Sequence, residues 1–294
     1  MNIANSGKEM VEICKVEGIS LSEYAIRKEI ELKGVTREQL VDQMKETLDA
    51  MRESATLGRE KPVFSLSGLI GGDAFRLEKY KESGKSLMGS GVVMAMAMAM
   101  SSSEVNGAMG RIVACPTAGS CGILPAVMLT AGELLNKSDD ELIQGLFASS
   151  AIGMIIGKNA TFAGAEGGCQ AECGSAAAMA SGAVVEMMGG SPEMSLDAAA
   201  IIFKNVLGLV CDPVAGLVEI PCAKRNASGA ISALCTADLV MAGVKSKIPF
   251  DDALSAMYKV GTSLPAELRE TALGGVAVTE TGLKLKEKVF GKTE

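Results

Sequence analysis

Eight cysteines, at positions 14, 115, 121, 169, 173, 211, 222 and 235, stand in a chain that has no histidine. Without an imidazole this chain cannot build by itself a Ser-His-Asp triad, a Cys-His pair, an HExxH zinc site or a Cys2His2 finger. No CxxC occurs, which removes zinc ribbons, thioredoxin-type redox motifs and ferredoxin runs. Cys169 and Cys173 form a CxxxC, but Ala176 stands where a radical-SAM motif needs its next cysteine. Cys14 and Cys235 lie among helix-forming residues and read as small buried hydrophobes. Cys115, Cys121, Cys169, Cys211 and Cys222 instead have Gly or Pro beside or close to them, as in Cys115-Pro116 and Pro221-Cys222. Turns of that kind at helix ends can aim several sulfurs at one centre. Each alone reads as a buried structural thiol; as a set they point to a metal or cluster site. Soft thiolates without His or CxxC favour iron–sulfur over zinc. A cubane held by three cysteines leaves one iron open as a Lewis acid for a hydroxyl or carboxylate, which suits a dehydratase better than an electron carrier. The spacing does not say which three.

Other pieces offer less. Gly153-Met-Ile-Ile-Gly157-Lys158-Asn159 is one residue short of a Walker A loop and has Asn where Ser or Thr should reach magnesium. Gly68-Leu-Ile-Gly71-Gly72 follows no strand and is not GxGxxG, so no nucleotide site is supported. Lys158 lies in an apolar neighbourhood eleven residues before Cys169, where burial would make it a usable base; the competing reading is a lysine that snorkels to solvent. Thr117-Ala-Gly119-Ser120 precedes an apolar run beginning near Ile123, a place for a substrate carboxylate at a helix N-terminus or for ordinary capping.

These residues need a scaffold, and its composition is uneven. The 294 residues carry 28 Lys+Arg against 35 Asp+Glu, a net charge of −7, and are 48% apolar with 34 glycines and 18 methionines. The acidic balance and 3% aromatic content argue against a nucleic-acid surface. Residues 1–61 hold 22 charged side chains while residues 151–242 hold 12, so the first stretch reads as a charged, amphipathic helical lobe. Ser20-Leu-Ser-Glu23 and Thr36-Arg-Glu-Gln39 fit capping boxes. Leu40, Met44, Leu48 and Met51 then recur at helical spacing. From Ser86 onward come Ala-, Gly- and Met-rich segments whose apolar residues occupy every face, the mark of helices at the centre of a domain. Ser138-Asp-Asp-Glu141 and Ser191-Pro192 mark helix starts; Gly-Gly at 189–190 and 274–275 mark stops. The alternation Met94-Ala-Met-Ala-Met-Ala-Met100 mimics a strand, but Ala opposes that reading. The expected fold is mostly α, one large helical domain over 1–294 with residues 1–61 as a lobe of it. Gly89–Met100 and Gly145–Gly157 are read as the longest apolar stretches, below the ~18 residues of a membrane span. With no signal peptide visible, the cytoplasm, reduced thiols and no membrane are expected.

Three stretches, Cys115-Pro-Thr-Ala-Gly-Ser-Cys-Gly-Ile-Leu-Pro125, Ala165-Glu-Gly-Gly-Cys-Gln-Ala-Glu-Cys-Gly-Ser175 and Gly208-Leu-Val-Cys-Asp-Pro-Val-Ala-Gly-Leu-Val-Glu-Ile-Pro-Cys222, closely resemble the α subunit of iron–sulfur-dependent bacterial L-serine dehydratase. The resemblance covers most of the chain. It implies a helical catalytic domain, a [4Fe–4S] cluster with one open iron in place of pyridoxal phosphate, and conversion of L-serine to pyruvate and ammonia. Its cluster cysteines fall on Cys169, Cys211 and Cys222, leaving Cys173 to packing beside them. It also implies a separate β subunit, because some members carry an additional β domain fused at the N-terminus whereas this sequence starts almost directly with helices. Thr117, Gly119 and Ser120 become candidates for substrate binding, and Lys158 a candidate base. Since the chain has no histidine, an imidazole base must come from the partner. With no cysteine after Cys235, the tail is not expected to supply a fourth thiolate. The nearest rival is an iron–sulfur L-cysteine desulfidase; a pyridoxal-phosphate lyase lacks a phosphate loop near Lys158, and a helical scaffold with incidental cysteines predicts no iron.

Overall fold

The computed structural model describes residues 4–291. Among them the chain is helical, with no strand; extended pairing is limited to isolated bridges between Phe64 and Gly71 and between Cys211 and Arg269. The charged N-terminal stretch forms α1 (Gly7–Glu17), α2 (Leu21–Lys33) and α3 (Arg37–Glu60). These pack on the main body: α1 on α10 (Pro192–Asn205), α2 on α7 (Asp139–Asn159), and α3 on α5 (Ser90–Gly107). On α3 the apolar stripe is realised, with Leu40, Leu48 and Met51 buried and Met44 half-buried.

The centre is built on α5 and α9 (Ser175–Met187). Helix α9 buries all of Ser175 to Val185 and is surrounded by α6 (Ile123–Leu135), α7, α10 and α11 (Cys222–Met241). Helix α5 lies between α3, α4 (Asp73–Glu82), α6 and α11. The Met-Ala alternation is therefore helix, buried on several faces. Small residues permit the close crossings: a Cβ at Gly182 of α9 would stand 2.9 Å from the Ser195 carbonyl of α10. Removing such apolar faces from water stabilises the fold by roughly 25 cal/mol per Å².

Most local signals are realised. Thr36 with Gln39 and Ser138 with Glu141 form capping boxes, and Ser191 caps α10 with Pro192 in its first turn. Ser20 caps α2 by accepting from the Glu23 amide, but the reciprocal half is replaced. Glu23 instead binds Arg27 and Arg37, and the Glu186 carboxylate of α9 accepts from the Leu21 and Ser22 amides at 2.7 and 3.1 Å. Helix α9 ends at Met187, just before the 189–190 glycine pair. The pair at 274–275 ends no helix: α12 (Phe250–Ser263) has already stopped, and Gly275 opens a 3-10 turn before α13 (Glu280–Phe290). An 18-residue apolar window missed by the run-length reading, Ala118–Leu135, has mean hydropathy 1.4 and is 72% buried inside the protein. Its continuous α-helix, α6, has 13 residues, about 20 Å at 1.5 Å each. It serves as a core element. The Gly153–Asn159 segment is the last part of α7 rather than a phosphate loop.

Candidate active site

Cys169 sits where the backbone departs from regular helix. The short α8 (Gly164–Gly167) ends at Gly168, whose φ of 73° and close approach to the Leu209 carbonyl exclude a side chain. After Cys169 the chain makes a π turn, Gln170–Gly174, before entering α9. Such turns cluster at functional sites because they re-aim side chains without ending the helix. Gln170, fully buried, fixes this one: its Nε2 donates to the Met257 carbonyl at 3.0 Å, and its Oε1 accepts from the Gly208 amide at 2.9 Å. Its own amide donates to the Leu209 carbonyl at 3.1 Å.

The loop carrying Cys211 is thereby stitched to the π turn. On its other side, Cys211 pairs with the segment after α12, its amide donating to Leu268 O at 2.9 Å and its carbonyl accepting from the Glu270 amide at 2.7 Å. Asp212 Oδ2 accepts from the Val276 amide at 2.7 Å. Gly275 makes that approach possible, since its φ is 59° and a Cβ there would overlap the Asp212 carboxylate. Arg225 of α11 completes the clamp, with Nη1 donating to Val210 O at 2.8 Å and Nη2 paired with Asp212 Oδ1 at 2.9 Å. Cys222 is the first residue of α11, three positions before that arginine. The three predicted ligands thus lie on three elements held together by Gln170 and Arg225.

The Thr117–Ser120 loop is also drawn in. Thr117 and Ser120 hydroxyls lie 3.2 Å apart, closing a 3-10 turn over Ala118–Ser120. Asn226, buried on α11, accepts from the Gly122 amide at 2.8 Å and donates to the Gly119 carbonyl at 2.7 Å. Thr117 Oγ1 donates to Glu172 Oε1 at 2.8 Å, and the Cys211 thiol lies 3.7 Å from Glu172 Oε2. Glu172 therefore joins the predicted substrate loop to a predicted cluster ligand. No spacing marks it in the sequence: it lies within Cys169-Gln-Ala-Glu172-Cys173, where the cysteines carry the pattern. The cationic and amide anchors, Arg225, Gln170 and Asn226, gave no spacing signal at all.

Cys169, Cys211 and Cys222 are 2%, 4% and 8% exposed. The neighbouring Cys173 thiol and, with it, the Arg225 cation hold Cys169 below the usual thiol range. Cys173 is correspondingly pushed well up. Burial raises Cys211, with Glu172 and Cys169 adding repulsion, and raises Cys222 to about 12. Burial likewise raises the Glu172 carboxyl. As free thiols, then, two of the three favour the neutral form; a metal would have to displace their protons. Among the described residues no three His, Cys, Asp or Glu side chains converge as the ligands of a single metal ion. Cys169, Cys211 and Cys222 nonetheless feel one another's charge. A cavity of about 480 Å³ adjoins this group, lined by Cys173, Asn205, Leu209, Arg225, Ser228 and Ser232. It lies on the Arg225 side and does not include Thr117 or Glu172.

Two predicted positions fall elsewhere. Lys158, in the last turn of α7, is exposed, and its Nζ donates to Asn5 Oδ1 at 2.9 Å. It reaches solvent, so the burial that the base assignment requires is missing. Cys235 is exposed on α11 rather than buried, a correction to its reading as a core residue; helical spacing alone does not say which face meets the core. Cys14, Cys115, Cys121 and Cys173 are buried.

Residues 16–277 match the family described as serine dehydratase alpha chain. A Bacillus subtilis protein described as "Probable L-serine dehydratase, alpha chain" is 49% identical over 284 residues, covering 97% of this chain and 94% of that one. The L-serine dehydratase alpha chain of Peptoniphilus asaccharolyticus is 48% identical over 282 residues, 96% of this chain and 97% of that one. The L-serine dehydratase of Streptomyces coelicolor is 35% identical over 281 residues, which are 93% of this chain but 60% of that longer protein. The chain belongs to the serine dehydratase alpha chain family.

Proposed function

We propose that this chain is the catalytic component of an L-serine ammonia-lyase that converts L-serine to pyruvate and ammonia, using a [4Fe–4S] cluster on Cys169, Cys211 and Cys222 and no pyridoxal phosphate. What supports this reading is that the segments carrying the buried Cys169, Cys211 and Cys222 are tied together by Gln170 and Arg225, with Glu172 linking Cys211 to Thr117, in a chain of the serine dehydratase alpha chain family. Cys169, Cys211 and Cys222 would hold the cluster, which would supply Lewis acidity for loss of the substrate hydroxyl.

The protein's own groups do the rest. The Thr117–Ser120 loop offers Gly119 and Ser120 to the substrate carboxylate beside the start of α6, while the Thr117 hydroxyl, donating to Glu172, holds the loop in place. Arg225 balances part of the thiolate charge, and the shell of α5, α6, α9 and α11 limits water around the reacting atoms. Removal of the Cα proton needs a base. Lys158 is too far into solvent for that role, and the chain holds no histidine. We therefore assign the base to a separate β chain, in keeping with the alpha-chain descriptions of the relatives and with the extra length of the Streptomyces protein. A cytoplasmic setting, with neither nucleic acid nor membrane as partner, belongs to the same reading, because a reducing compartment preserves thiolate ligands.

Anaerobic purification with iron and acid-labile sulfide counted tests it. Wild-type protein and C235S should carry four of each per chain, whereas C169S, C211S and C222S should lose most of both. Wild-type protein without iron would refute the reading.

A further inference from the structure

The turn joining α4 to α5 carries Leu87 and Met88 at its tip, with Leu87 93% exposed and Met88 also in solvent. Gly89, at φ 84°, then swings the chain into α5. Just beyond this knob, Gly91 and Val92 in the first turn of α5 form one wall of an apolar groove of about 220 Å³. The C-terminal parts of α6, α9 and α11 close it through Leu134, Val184 and Leu234. Four core helices therefore come to the surface here without a cover. Leu134 stays 61% exposed on the rim, and Leu239 is exposed one turn past Cys235. Single exposed leucines are ordinary, whereas a protruding apolar pair beside an apolar groove marks a contact surface.

Charge follows the same division. Lys85 is exposed at the base of the knob and Asp238 on the wall of the groove, and neither forms an ion pair among the described residues. One face thus carries a knob with a cation and a groove with an anion, so it is complementary to itself. In a two-fold pair each copy's knob meets the other's groove, and every such contact is made twice. The groove also lies away from the cysteine site. Cys235 is thirteen residues along α11 from Cys222, about 20 Å at 1.5 Å each. A copy seated there leaves the site end to the β chain.

We propose that this face is a two-fold interface with a second copy of this chain, the Leu87–Met88 tip of each filling the groove of the other and Lys85 reaching the partner copy's Asp238. The interface depends neither on the cluster nor on the source of the base. Its natural probe is Cys235, which lines the groove and is exposed in the single chain, whereas the other seven cysteines are buried.

The test is sedimentation equilibrium of the full chain, with and without its β chain, alongside N-ethylmaleimide labelling of Cys235. Without the β chain, wild-type protein should sediment at twice 30.3 kDa and Leu87→Asp at 30.3 kDa. Cys235 should label about tenfold faster in that variant, because the partner copy no longer covers it. Lys85→Glu or Asp238→Lys alone should weaken pairing by about tenfold, and the two together should restore it to within about threefold of wild type. That rescue separates a contact between copies from damage to the fold. A wild-type chain that stays at 30.3 kDa with Cys235 freely labelled overturns the proposal. Protection of Cys235 that appears only on adding the β chain also overturns it, making that chain the occupant. A dimer that survives Leu87→Asp and both charge reversals places the interface elsewhere and overturns it as well.

Discussion

Arg225 and Asp212 form an ion pair at 2.9 Å in which the aspartate is 3% exposed and the arginine 19%. The same guanidinium donates to the carbonyl of Val210, so one side chain grips the residues on both sides of Cys211. Its charge also acts on Cys169 and Cys222. Arg225→Ala should leave Asp212 buried without its counter-charge and destabilise the apoprotein by about 3–5 kcal/mol, measured by urea unfolding. Arg225→Lys keeps the charge but loses the two-pronged grip, and should recover less than half of that loss.

Asn226 supports the opposite wall. Because it accepts from Gly122 and donates to Gly119, Asn226→Ala leaves a buried amide and carbonyl unmatched. The expected cost is about 1–3 kcal/mol in unfolding free energy. The Thr117 loop should loosen with it, seen as faster hydrogen exchange over residues 115–122 and weaker substrate binding, with iron content unchanged.

Glu104 gives the fold a pH dependence of its own. Buried on α5, it accepts from the Asp73 and Ala74 amides at the start of α4, yet burial pushes its carboxyl up from 4.5 to about 7. The Asp73 charge adds to the rise and Lys224 opposes it. A raised carboxyl means that the folded chain holds the proton more tightly than the unfolded chain. Its contribution is complete below about 4.5 and is lost as pH rises through about 7. The loss should be about 1–3 kcal/mol across that window. Glu104→Gln should remove this slope from urea-derived stabilities measured between pH 5 and 8; an unchanged slope would assign it to other groups.

The helical architecture was legible because Ala-, Gly- and Met-rich segments with capped ends leave few alternatives, and Ser138, Thr36 and Ser191 cap as their spacing predicts. That the segments carrying Cys169, Cys211 and Cys222 lie together was legible only through their long motifs, since their separations in sequence follow no metal-binding rule. What escaped is what depends on tertiary approach. Glu186 caps a helix 165 residues away, and Arg225 and Gln170 act through backbone groups that no motif marks. Lys158 misled for a related reason: an apolar stretch of α7 says nothing about its final turn, which reaches solvent.

The proposed division of labour between chains predicts that iron-loaded protein alone turns over L-serine at less than about 1% of the rate seen with the β chain, as expected when a general base is missing. Mixing the two chains should restore pyruvate formation. Sulfide release from L-cysteine, measured in parallel, should be the slower reaction; the reverse order would make the protein a desulfidase.

The central claim is a cluster on three cysteines with one iron left for substrate, and Mössbauer spectroscopy of the anaerobically purified, iron-57-enriched protein reads it directly. The expected result is a [4Fe–4S] spectrum in which one iron of four shifts when L-serine is added while the other three stay. A spectrum in which all four irons are unmoved by L-serine, or one showing no cluster, would contradict it.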